Sequence, residues 1–166
     1  MPPNDAKWYV LWVMSGQEKK LCDKMREISA VHEAMVPSCM IYRRKAGIWH
    51  EANSILFPGY IFLRCCITTP LYYRVCNMPG VIRWLGKDGN LPTAVPDEEM
   101  ELIYVLNCGN AEEITRAIPL TIDRHRRRAC ARVEMLGKAH KIMLGWHDKQ
   151  PDASGVDTSS AMTDGD

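Results

Sequence analysis

Leu56-Phe57-Pro58-Gly59-Tyr60-Ile61-Phe62-Leu63 is a continuous apolar stretch that carries a proline and a glycine where a strand tolerates them poorly. A proline in a strand removes a ladder donor and a glycine leaves a gap beside the backbone. The pair therefore marks an edge, a bulge or a place where something docks. Phe62 reads as core, whereas Phe57 and Tyr60, which bracket Pro58-Gly59, are placed to wall an exposed apolar cavity.

Upstream, Trp8 to Met14 is apolar on both alternating faces, which fits an interior strand. Ser15 followed by Glu18 reads as a capping box, and Leu21, Met25 and Ile28 form one stripe of a helix running to about Ala30. Met35 to Tyr42 reads as a second strand, turning through Arg43-Arg44-Lys45-Ala46-Gly47, and Ile55 to Cys65 as a third. Thr69-Pro70 is a cap with a proline at the first helical position, opening a short helix that carries Leu71, Tyr72, Val75 and Cys76 and ends at Met78-Pro79-Gly80. Val81 to Leu85 makes a fourth strand, and Asp88-Gly89-Asn90 a turn. The order β-α-β-β-α-β is the ferredoxin-like split βαβ plan, an α+β fold whose antiparallel sheet has helices on one face. Pro96-Asp97 starts a third helix, with Met100, Ile103 and Leu106 on one face and Gly109 as its stop. Beyond it the chain reads as irregular. Two short strands follow, Ala129 to Met135 and His140 to Leu144, around the turn 136–139, and the Ser/Thr/Asp/Gly-rich end has the composition of a disordered tail.

With 166 residues, 46% hydrophobic and 25% charged, the chain can build one ordinary core and a small appendage. The net charge of +1 conceals a segregation. Residues 1–95 hold 12 Lys/Arg against 7 Asp/Glu and residues 96–115 none against 6; residues 116–149 hold 9 against 3 and residues 150–166 none against 4. Two basic units are thus separated by an acidic one. Seven cysteines without a C-x-x-C pair read as reduced thiols of a cytoplasmic protein. No secretory leader is expected, and no apolar run reaches the ~18 residues of a membrane span, so no membrane partner is expected.

No phosphate loop, H-E-x-x-H or nucleophile motif is present, and His32, His50, His125, His140 and His147 are dispersed. No catalytic residue, metal site or cofactor is expected, and a cysteine nucleophile is the remote enzymatic alternative. Gly59-Tyr60-Ile61-Phe62-Leu63 comes close to the base-stacking strand of RNA-recognition modules, which share the βαββαβ plan, although Ile61 stands where a small residue belongs. A stand-alone RNA-binding module is therefore the alternative function.

Four motifs in order resemble the N-terminal (NGN) domain of the NusG family of transcription factors. They are Trp8-Tyr9 opening strand one, Val36-Pro37 at strand two, Phe57-Pro58-Gly59-Tyr60 in strand three, and Pro79-Gly80-Val81 leading into strand four with Gly86 behind it. The resemblance implies an NGN-type domain over residues 1–109, a linker over 110–120, a truncated KOW-like β segment over 121–149 and a disordered tail over 150–166. It implies a regulator of transcription elongation that grips the clamp helices of the largest RNA polymerase subunit through an aromatic cavity, lined by Trp8, Tyr9, Phe57, Pro58, Gly59 and Tyr60, and promotes processive antitermination. Lys19, Lys20, Arg43, Arg44 and Lys45 would then lie near nascent RNA or DNA of the elongation complex; the alternative is a solvated helix face and a charged hairpin tip.

Residues 122–129 with Val133 to Lys138 and Ile142 to Gly145 resemble the second half of a KOW domain, whose first half is missing between Glu113 and Thr121. A barrel lacking strands has open edges, so no closed barrel is expected. The segment should lean on the N-terminal domain or be mobile, with the acidic helix from Asp97 to Asn107, Glu112 and Glu113 as counterpart of the arginine run. The arginine pattern resembles the LoaP antiterminator paralogues, which implies RNA phosphate contacts by Arg124, Arg126, Arg127, Arg128, Arg132 and Lys138; a solubilising charged hairpin is the alternative. The ribosome or other elongation factors are further implied partners, and a monomer is the expected state.

Overall fold

The computed structural model describes residues 5–86, 91–108 and 111–146. In chain order these form β1 (Lys7–Val13), α1 (Glu18–Arg26), β2 (Val31–Met35), β3 (Ser38–Lys45), β4 (Ile48–Ile55), β5 (Tyr60–Cys65), α2 (Thr69–Cys76) and β6 (Val81–Trp84). There follow α3 (Asp97–Cys108), α4 (Ala111–Ala117), β7 (Thr121–Asp123), β8 (Arg128–Met135) and β9 (Lys138–Gly145). The expected turn at Asp88-Gly89-Asn90, the stop at Gly109, His147 and the tail lie outside the described residues.

The central sheet has the order β2-β5-β1-β6 and is antiparallel throughout, so β1 is interior as its two apolar faces require. With α1 and α2 it realises the split βαβ plan. One expectation fails inside it, because Met35 to Tyr42 is not one strand. Pro37 has no N–H for a ladder, and the chain leaves the central sheet there to build a separate two-stranded hairpin, β3–β4, closed at its base by Leu56 N–H donating to the Pro37 carbonyl at 2.9 Å. Its turn is only Ala46-Gly47, both at positive φ (52° and 80°), the geometry of a type I′ hairpin turn. Arg43, Arg44 and Lys45 therefore belong to strand β3 rather than to the turn. Likewise Ile55 to Cys65 is the end of β4, the turn 56–59 and β5.

The helix starts also differ in detail. Gln17 is the N-cap of α1 and makes no side-chain cap bond, while Glu18 reaches back to Gly16 N–H at 2.8 Å, so Ser15 does not cap. Thr68, one residue earlier than expected, caps α2 through its hydroxyl, which accepts from Leu71 N–H at 3.3 Å.

Residues paired across the sheet share a face. Leu11, Val13, Ile61, Leu63 and Trp84 pack against Leu21 and Met25 of α1 and Leu71 and Val75 of α2. The opposite face carries Trp8, Val10 and Phe62, which join Met100, Ile103 and Leu106 of α3, Ile114 of α4 and Ile118 just beyond it in a second core. Val133, Met135, Ile142 and Leu144 of β8 and β9 belong to the same core. Residues 111–117, expected to be irregular, are a helix because Ile114 has an apolar layer to enter. The C-terminal strands form an open three-stranded sheet, order β7-β8-β9. It leans on the N-terminal part through this apolar layer, and the acidic helix contributes Glu99, whose carboxylate accepts from Leu136 N–H at 3.0 Å.

Candidate functional site

The Phe57-Pro58-Gly59-Tyr60 turn is pinned from beneath. Gly59 has φ +88°, a conformation that disfavours any side chain, and a Cβ there would stand 3.3 Å from the Val13 carbonyl oxygen. Its N–H donates to Glu18 Oε2 at 2.7 Å and its carbonyl accepts from Val13 N–H at 2.8 Å. Glu18, only 3% exposed, is a buried carboxylate whose two oxygens take the N–H groups of Gly59 and Gly16, as burial of a polar group demands.

This pinning sets Tyr60 opposite Trp12 of β1. Trp12 is 39% exposed and lies under the Arg83 guanidinium, 5.5 Å from its carbon to the ring centroid. Pro58 is exposed and Tyr60 half-buried; burial raises the Tyr60 phenol pKa, opposed by Arg83. Trp12 and Tyr60, with Pro58 beside them, thus form a rim of two aromatic rings and a proline. Phe57 does not share it, being 3% exposed against Phe62 at 5.8 Å and covered by His140 of β9, whose ring is 5.8 Å from Phe57 and 5.4 Å from Tyr60. Burial, then Lys138, lowers the His140 pKa.

The structure does not bring Trp8 and Tyr9 to this rim. They point to opposite faces of β1, and Trp8 lies four residues from Trp12, about 13 Å along a strand. Trp8 packs edge-on to Tyr104 of α3, at 6.2 Å, beside a groove of about 700 Å3 bordered by Arg64, Pro96 and Met100. Tyr9 meets Trp84 edge-on at 6.2 Å on the α1/α2 side. Trp12 was missed because a strand apolar on both faces reads as wholly interior; the signal was its place two residues beyond Val10, past the end of the covering layer.

The predicted cations divide as well. Lys19 and Lys20 are exposed on α1, across the central sheet from β7–β9. The β3–β4 hairpin and the 124–127 turn, by contrast, meet. Arg127 lies over Trp49 at 4.8 Å and over Tyr42 at 5.8 Å, and Arg44 over Trp49 at 5.8 Å. Trp146 N–H donates to the Arg127 carbonyl at 3.0 Å, and Arg126 N–H to Asp123 Oδ1 at 3.0 Å, which fix the turn. Arg124 is exposed, Arg128 donates to Met143 Sδ at 3.8 Å, Arg132 is exposed opposite Lys141, and Lys138 is exposed at the start of β9. Tyr42 and Trp49 carried no expectation, since the hairpin that aligns them was not recognised.

No group of metal-binding side chains occurs among the described residues. Burial pushes the Cys39 thiol up to about 11 and the Cys65 thiol up to about 12, away from the thiolate a nucleophile needs. Phe62 is fully buried, so a base-stacking strand of the RNA-recognition kind lacks its second aromatic platform.

The fold and rim define an α+β protein of the split βαβ type with an extra β segment folded onto its open face. The model of the family described as transcription termination factor nusG matches residues 6–104, and the chain belongs to the NusG family. It is similar to the transcription termination/antitermination protein NusG of Buchnera aphidicola, with 28% identity over 104 residues, covering 58% of this chain and 58% of that one. It is also similar to the NusG proteins of Vibrio cholerae and Escherichia coli, 25% identical over 104 residues, covering 58% of this chain and 57% and 58% of theirs. The chain thus matches little more than half the length of these curated relatives. A solved structure described as domain interaction in Thermotoga maritima NusG shares the fold, with a TM-score of 0.60, 22% identity, and coverage of 85% of this chain and 94% of that one.

Proposed function

We propose that this protein regulates transcription elongation by docking on the clamp helices of RNA polymerase through the rim of Trp12, Pro58 and Tyr60, and that it promotes processive antitermination. The observation that carries the reading is the Glu18-pinned turn, which holds Tyr60 beside an exposed tryptophan within the stretch matched to the family. Rigid aromatic side chains give large contact area at low entropy cost, which is what an anchor for a helical coiled coil needs. Nascent RNA or DNA of the elongation complex is the second partner, met by the cations of the hairpin and the 124–127 turn.

In vitro transcription across a terminator tests the function. Addition of the chain should increase read-through, and Tyr60→Ala should remove the increase while the fold stays intact. Read-through unchanged by the chain, or increased equally by Tyr60→Ala, would refute this reading.

A further inference from the structure

A sheet ends in edges, and each edge is a row of unpaired N–H and C=O groups onto which another strand can add. The central sheet ends in β2, of five residues, and β6, of four, and the pairing of each carries a register shift, so neither is a long flat template. β7 has three residues. β3 and β9 cover each other closely: a Cβ on Gly145 of β9 would stand 2.5 Å from the Met40 carbonyl oxygen of β3, and the Cys39 thiol donates to the Met143 carbonyl at 3.3 Å. That leaves β4. It runs for eight residues in unbroken register with β3, without a proline, lysine or arginine, and among the described residues no strand pairs with its outer edge.

The turn at Ala46-Gly47 decides which groups that edge presents. In a two-residue hairpin the flanking pair, Lys45 and Ile48, is hydrogen-bonded, so Ile48, His50 and Ala52 bond inward to β3, whereas Trp49, Glu51 and Asn53 turn their N–H and C=O to the free edge. Leu56 N–H, 2.9 Å from the Pro37 carbonyl, continues the inward series. Side chains alternate as well: Trp49 and Glu51 share a face with Tyr42 and Arg44, and Ile48, His50 and Ala52 share the other with Arg43 and Lys45. On the first face Arg44 and Arg127 converge on Trp49, at 5.8 and 4.8 Å, and among the described residues no salt bridge includes either of them. On the second, Ile48 is 61% exposed.

We propose that β4 pairs antiparallel with β4 of a second copy of this chain, about a two-fold axis at His50, and so forms a concentration-dependent homodimer. Two-fold symmetry makes the interface self-complementary and sets one residue opposite its own counterpart. Glu51 on the axis would place like charges opposite each other. Ala52 on the axis would place Glu51 opposite the partner's Asn53, away from the arginines. With His50 on the axis, Glu51 stands opposite the partner's Trp49, on the face that carries the partner's Arg44 and Arg127, and the exposed Ile48 stands opposite the partner's Ala52. Trp49 and the partner's Glu51 then exchange the main-chain bonds that the edge leaves open, and the symmetric pair does the same. A second copy fits because one strand supplies the anion, the cations and the free edge together. A contact confined to one strand edge falls below the ~1,200 Å2 of stable interfaces, so the monomer is the dilute form. His50 lies five residues from Ile55, about 17 Å along the strand from the turn that holds Pro58, which makes this interface separate from the docking rim.

Analytical ultracentrifugation of the full chain between about 1 μM and 1 mM tests this, and the mean mass should climb from monomer towards dimer across that range. Glu51→Lys and Arg44→Glu should each raise the dissociation constant roughly tenfold, because each substitution acts at both symmetric contacts. An equimolar mixture of the two variants should associate more tightly than either alone, since opposite charges again meet across the axis. Arg74→Ala, which removes an exposed cation from α2, should leave association unchanged. The axis itself is tested by cross-linking. His50→Cys sets two thiols at a non-hydrogen-bonded pair, within disulfide reach, so diamide as oxidant should yield a disulfide-linked dimer that the unaltered chain and Ser54→Cys do not give. A monomer at every concentration, no recovery in the mixture, an equal loss in Arg74→Ala, or cross-linking through Ala52→Cys in preference to His50→Cys would overturn the proposal.

Discussion

On one face of the central sheet the cover is local, since α1 and α2 are the crossovers that connect the sheet's own strands. On the other face it is remote, arriving from residues 97–145, beyond the last strand of that sheet. Both covers are apolar and both bury the sheet, yet the remote one leaves Trp12 and Tyr60 at its margin, where the His140 ring lies against Phe57 and Tyr60. A cover that is part of the sheet's topology cannot be removed without unfolding. A cover attached by a separate segment can end where a functional surface begins.

The sharpest way to break this comparison is a cavity in each cover. Trp84→Ala on the local side should cost about 3–5 kcal/mol, and Ile142→Ala on the remote side about 2–5 kcal/mol. Because Ile142 shares its core with Val10 and Phe62 of the sheet, both variants should lower a single thermal transition. Two separated transitions in Ile142→Ala, followed by circular dichroism at two wavelengths, would show instead that the remote cover folds independently. Hydrogen exchange bears on the same point. The sequence gives residues 129–144 few apolar side chains, which predicts fast exchange; the shared core now predicts protection of β8 approaching that of β5.

A smaller effect is expected where the C-terminal sheet touches the hairpin. Gly145→Ala places a methyl against the backbone of β3 and should cost about 1–3 kcal/mol, with the exchange rate rising in β9 and unchanged in β6. A neutral substitution would mean that the two segments are not held as closely as described.

The smallest effect concerns pH. Burial lowers the His140 pKa from 6.5 in the folded chain, so below pH 6.5 the unfolded or undocked segment takes up the proton more readily. The contribution of the neutral ring to docking is present above 6.5 and is lost as pH falls below it. Exchange in β9 should therefore quicken between pH 7.5 and 5.5 relative to β5, and His140→Gln should flatten the difference.

Much of the central layer was legible in the sequence, because its signals are local. The capped helix α2, the stripe of α1 and the both-faces-apolar β1 each follow from a few neighbouring residues. The hairpin was not legible, since Pro37 and Ala46-Gly47 had to be weighed against a plausible longer strand and a longer turn. Nor was the remote cover, since Val133, Met135, Ile142 and Leu144 are too few for a core of their own and acquire one only by joining Val10 and Phe62 of the central sheet and Met100 and Ile103 of α3. The candidate site divides in the same way. Phe57-Pro58-Gly59-Tyr60 announced itself by a proline and a glycine in a strand, while Trp12, His140 and the Trp49 centre depend on register and on long-range docking.

The proposed contact for the polymerase clamp helices is the rim of Trp12, Pro58 and Tyr60. Titration of the isolated clamp-helix coiled coil into the full chain by calorimetry tests it directly, with Tyr60→Ala, Trp12→Ala and Tyr9→Phe compared at equal folded fraction. Binding by the unaltered chain is expected, with a loss of about 1–3 kcal/mol for each of the two rim variants and no change for Tyr9→Phe, whose ring lies on the other face of the sheet. Unchanged affinity in Tyr60→Ala and Trp12→Ala, with the fold intact, would contradict it.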